Sequence, residues 1–209
     1  MFESVKANKK LSLLIFISVV SLFFLSNVIF QRIIYGVSNY NEFLFKYSDV
    51  KSIFWQSSFG ISVKVIIDIV VVIILLKGSS LLLEIKLTSS QIVRIVCFSY
   101  LIFLVQMFAE FLYIITFYNK DLKNLESFSF LSISFFLDKS QINIPYYLRY
   151  CYEVLGFFEL IFWILLSWLV SKYSGSRFWS AFKFTTISYI VPLSIWLMFV
   201  VIIVLLKIN

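Results

Sequence analysis

Polar positions along this chain are gathered at a few places, and between them lie long runs without a charge. Leu11 to Phe30 is the first such run. A helix of ~20 residues crosses a hydrocarbon core of ~30 Å. Predominantly apolar runs of comparable length, three of them carrying isolated charges, predict further crossing helices over residues 61–76, 92–118, 151–170 and 184–206. Gln31 and Arg32 close the first span, Lys77 and Gly78 the second, and Lys207 the fifth. The first run follows Lys6, Lys9 and Lys10 but is longer than a signal-peptide core and has no small-residue cleavage site after it, so an uncleaved signal anchor is expected. Pro145 should break the chain ahead of the fourth span, and Pro192 should bend the fifth. LLLEIKL, residues 81–87, is too short to cross; it extends the second helix or lies in the interface.

Two connections carry their own pattern. Residues 42–56 combine Phe43, Phe45, Tyr47, Phe54 and Trp55 with Lys46, Asp49 and Lys51. Aromatic residues gather at membrane–water boundaries, so an amphipathic interfacial helix is predicted there. Residues 127–137 read SFSFLSISFFL, partly alternating. A single strand in lipid would leave its backbone groups unpaired, which points to a short interfacial or re-entrant helix instead. The expected fold is therefore all-α: one membrane-embedded helical bundle of five spans with interfacial segments.

Composition agrees. Of 209 residues, 61% are hydrophobic and 14% charged, against ~45–50% and ~25% in soluble domains. Mean hydropathy is +0.97. That much apolar surface cannot be hidden in a soluble monomer of this length. The partner implied first is the lipid bilayer itself.

The +7 net charge is spread between apolar runs. It reads as topology-setting charge at membrane edges and not as a nucleic-acid surface. With a cytoplasmic N-terminus, the inner pieces hold Lys6, Lys9, Lys10, Lys77, Lys86, Arg94, Lys172, Arg177 and Lys183. The outer pieces hold Arg32, Lys46, Lys51, Lys120, Lys123, Lys139, Arg149 and Lys207. The inner pieces are much shorter, so their basic density is higher. The expected orientation is N-terminus in and C-terminus out. Scarce alanine and abundant Phe, Ile, Ser and Lys suit an AT-rich genome, which suggests a bacterial inner membrane.

The chain has no histidine. That excludes HExxH zinc sites, Ser–His and Cys–His nucleophile pairs and histidine-ligated haem. Cys97 and Cys151 are too few for a four-ligand metal site. The five glycines form neither a GxGxxG nor a P-loop. No catalytic, cofactor or metal site is expected.

The chemistry that remains is polar groups within the spans. Lys64 and Asp68 are four residues apart and share a helix face, where they can neutralise each other or contact an ion. Gln106 and Glu110 share a face in the third span, and Glu159 lies in the fourth. Acids on different helices can form a proton or cation site or serve as interhelical glue. Two functional expectations follow. One is a non-catalytic component of a membrane complex, partnered by other membrane subunits. The other is a small transporter or permease subunit using Asp68, Glu110 and Glu159.

The C-terminal part runs FLSISFF, then IPYYLRYCYEVLGFFELIFWILLSWLVSKYSGSRFWSAFKFTTISYIVPLSIWL. An apolar loop segment precedes a helix centred on FFELIFW. A Ser/Gly/Arg turn and a last helix opening with Ser, Phe and Lys follow. Over about residues 125–209 this order resembles the bacterial branch of the Yip1-domain membrane proteins. That resemblance implies a five-span helical bundle and transfers no functional residue. The acidic and Tyr-Gly signatures of eukaryotic members are missing, so no trafficking role is implied.

Overall fold

The computed structural model of the chain describes residues 2–36, 50–83, 85–117, 131–140 and 145–208. Among these residues the protein is all-α. The helices are α1 (Phe2–Gly36), α2 (Val50–Leu82), α3 (Ser89–Phe117), α4 (Ile133–Lys139), α5 (Tyr146–Val154) and α6 (Phe157–Ser174). The last, α7, has three parts: α-helix Phe178–Thr185, a π-helical turn Thr186–Ile190, and α-helix Val191–Ile208. Five helices are long and apolar enough to cross a membrane, over Lys9–Phe30, Ser62–Leu82, Ser89–Tyr113, Phe157–Ser174 and Phe178–Leu206. The protein is a multi-pass membrane protein.

The chain divides into two compact units, Met1–Ile73 and Ile74–Asn209. In the first, α1 buries Ser12, Val19, Phe23 and Asn27 while Leu14, Ile17, Leu25 and Ile29 face outward. The part of α2 in this unit buries Ser62, Val65, Ile69 and Val72. Their three–four spacing is the seam pattern of helices that cross at a shallow angle. The outward faces are as apolar as the buried ones, which is what lipid as a solvent permits. The interfacial helix expected over residues 42–56 falls mostly outside the described residues; from Val50 onward the chain is already α2. Of LLLEIKL, only the first two residues extend α2.

In the second unit α3 packs on α6, and α6 on α7. Their core is aromatic. Phe162 has no exposed surface, and its ring lies 5.5 Å from Tyr100, 5.1 Å from Phe103 and 5.1 Å from Tyr189. Ser167 of α6 hydrogen-bonds Thr185 of α7 across the same interface.

Two local breaks shape this unit. The fourth span, expected over 151–170, starts later. Leu155 and Gly156 are extended (ψ 108° and 178°) and separate α5 from α6. They pair with the segment before α4: Ile133 N–H donates to Leu155 O at 3.0 Å, and Phe157 N–H to Leu131 O at 3.1 Å. A Cβ on Gly156 would lie 3.1 Å from Ser132 Cα, so the close approach needs glycine. Ser132 then caps α4, its Oγ accepting from Phe135 N–H at 3.1 Å. Of the expected interfacial segment 127–137, the described part is thus Leu131 and the β-bridge residue Ser132 followed by a short helix. The second break is at Pro192. It has no N–H for the Ser188 carbonyl, and its ring would crowd that carbonyl in a regular helix. The chain widens just before it, and Val191 N–H bonds back to Thr186 O. Seryl and threonyl side chains take up further carbonyls: Ser188 Oγ donates to Phe184 O and Thr186 Oγ1 to Phe182 O, both at 2.7 Å.

Candidate functional site: a polar cavity beside α6

The break at Leu155–Gly156 decides where the acids sit. With α6 starting at Phe157, Glu159 lies in its first turn. A carboxylate there meets the positive end of the helix dipole. On α3, Gln106 and Glu110 lie in the half of the helix nearest this end, and Gln106 Nε2 donates to Glu110 Oε1 at 3.0 Å. The π-turn adds one residue to its helical circuit and turns Tyr189 toward α6, where its hydroxyl donates to Glu159 Oε1. Glu153 comes from α5. Its Oε1 accepts from Arg149 Nε at 3.3 Å, and Arg149 Nη2 also lies 3.6 Å from Asp138 Oδ2 on α4.

These groups meet at a cavity of about 20 Å³, lined by Gln106, Ser132, Glu153 and Glu159 with Phe103 and Phe158. A volume of ~10–15 Å³ suffices for one water, which needs two to four polar partners. The lining supplies them, and the space admits nothing much larger. Among the described residues no group of three or more Cys, Asp or Glu is arranged to hold a metal ion.

Three of the residues singled out from sequence, Gln106, Glu110 and Glu159, are therefore linked to one place. Gln106 and Glu159 line the cavity, and Glu110 is reached through Gln106. Lys64 and Asp68 belong to the first unit; Lys64 is exposed, and Asp68 is half-buried and engaged. Sequence reasoning set Glu153 aside as an acid reaching the interface and missed Ser132 and Tyr189. The four-residue spacing of Arg149 and Glu153 was the available signal for the first. Pro192, just after Tyr189, was the signal for the third, since π-turns commonly mark functional positions.

No family model matches the chain, and neither does any curated protein or solved structure.

Proposed function

We propose that the chain is a non-catalytic multi-pass component of a bacterial inner membrane, with its N-terminus in the cytoplasm, serving as a structural or accessory subunit of a membrane protein complex. One observation carries this: the charged and amide side chains around the α6 start are engaged with one another or with Tyr189, and they leave a cavity of about 20 Å³. Tyr189 to Glu159, Ser167 to Thr185 and Arg149 to Asp138 join different helices, and polar groups used this way are interhelical glue, worth ~0.6 kcal/mol each on average. A space for a single water offers no route for a solute. The apolar outer faces, Trp196, Met198, Phe199 and Ile202 of α7 among them, are available to lipid or to a neighbouring subunit. The basic residues flanking α3 and α6 supply the orientation. In-membrane cross-linking followed by mild detergent extraction tests the reading. A defined larger assembly is expected; a strictly monomeric protein with no cross-linked neighbour contradicts it.

A second reading, a transporter or permease subunit working through Asp68, Glu110 and Glu159, is favoured by the meeting of Gln106 and Glu159 at one polar cavity. Proteoliposome flux compared between wild type, Glu110→Gln and Glu159→Gln separates the two. Flux that falls in either variant supports transport, and absence of flux in all three removes it.

A further inference from the structure

The opposite end of α6 has a different chemistry. Gln91 Nε2 lies 3.5 Å from Tyr173 O, so the start of α3 stands beside the end of α6. α7 begins four residues after α6 ends. Two segments distant in sequence, 85–88 and 175–177, thus share one end of the unit. Lys86, Lys172, Arg177 and Lys183 are exposed there, and Arg94 is half-buried. Among the described residues none of the four exposed cations pairs with a carboxylate; the acid just before the first segment, Glu84, lies outside them.

Aromatic residues frame these cations. Lys172 Nζ sits 5.6 Å from the centre of the Trp168 ring, a distance at which the ring face attracts an ammonium. Trp179, at the start of α7, is 70% exposed. Its ring lies 5.7 Å from Phe182, which stacks on Trp163 at 4.3 Å. An exposed indole anchored at a helix end is how a span marks the headgroup level.

We propose that this end of the protein is a docking surface for anionic phospholipid headgroups. A phosphodiester without a compensating amine carries one net negative charge. Arg177 can grip two of its oxygens at once, while Lys172 and Lys183 act as point charges beside it. A zwitterionic headgroup brings its own cation into the same cluster and gains less. At the cavity end the described cation, Arg149, already holds Asp138 and Glu153.

The full chain, purified in neutral detergent, is titrated with phosphatidylglycerol or phosphatidylcholine, and bound lipid is counted by native mass spectrometry. Each basic residue near an anionic surface is worth a factor of roughly five in binding. Wild type is expected to prefer phosphatidylglycerol by about tenfold or more, with the preference shrinking as salt is raised. The triple variant Lys172→Gln, Arg177→Gln, Lys183→Gln should lose most of that preference at unchanged helicity and elution volume. Lys172→Arg with Lys183→Arg should keep it. Equal binding of the two lipids by wild type overturns the proposal, whether or not the triple variant folds. So does an unchanged preference in the folded triple variant, or its abolition by millimolar inorganic phosphate, which would indicate a free-anion pocket.

Discussion

The two ends of the second unit solve the problem of charge at a membrane edge in different ways. Around the cavity, every charge described has an answer. Arg149 bridges two carboxylates, Tyr189 donates to Glu159, and Gln106 donates to Glu110. The backbone there is fastened by the Leu131–Ile133 and Leu155–Phe157 bonds. At the other end Lys86, Lys172, Arg177 and Lys183 stand exposed, and the chain turns in three residues. Gly175, at φ 69°, ends α6 in the left-handed conformation, and Ser171 and Ser174 return hydroxyls to Ser176 O and Val170 O. One end is closed by internal pairing. The other keeps its charge for the surroundings. Two connections between membrane helices, one of three residues and one that includes α4 and α5, can thus differ in whether their charge is spent inside the protein.

Four substitutions sharpen that contrast. Gly156→Val puts side-chain atoms against the backbone of Leu131 and Ser132, at 3.2 and 3.1 Å for the first carbon alone. A loss of ~1–3 kcal/mol in detergent unfolding is expected, at the upper end because backbone must move. The same change should expose Cys151. Its thiol is buried, its pKa is raised by that burial, and it faces Leu197 O at 3.8 Å. Maleimide labelling should be slow in wild type at neutral pH and faster in the variant. At the other end, Gly175→Ala meets open space but a forbidding φ, so ~1–2 kcal/mol should be lost with no change in Cys151 labelling. Tyr189→Phe removes the donor to Glu159 and should cost ~1 kcal/mol. Arg149→Gln should cost least, ~0–1 kcal/mol, because its ion pairs are half exposed. A Gly175→Ala cost equal to that of Gly156→Val would erase the distinction between a fastened end and a simple turn.

Much of the fold was legible in the chain. Long uncharged runs between polar clusters have one solution in lipid, and the all-α architecture with five crossing helices follows from it. The boundaries were less legible. The run from Cys151 to Val170 reads as one apolar stretch, since Leu155 and Gly156 interrupt neither hydropathy nor charge. Their extended backbone depends on hydrogen bonds to Leu131 and Ile133, which lie more than twenty residues away. Glu159, expected within a span that opened at Cys151, accordingly stands in the first turn of a helix that opens at Phe157. The Gln106–Glu110 pair was readable from its spacing, whereas its proximity to Glu153 and Glu159 depends on the packing of α3 against α6. The basic residues at the other end were visible one by one. Their gathering on one surface required Gln91 and Tyr173 to meet.

The most direct test concerns sidedness. If α6 crosses the bilayer, its two ends must open to opposite compartments. In a variant lacking Cys97 and Cys151, Ser140→Cys reports the cavity end and Ser176→Cys the basic end. Labelling of intact cells with a membrane-impermeant maleimide should modify the first, and the second should react only after permeabilisation. Both positions reacting from the same side would contradict a crossing α6 and the account built on it.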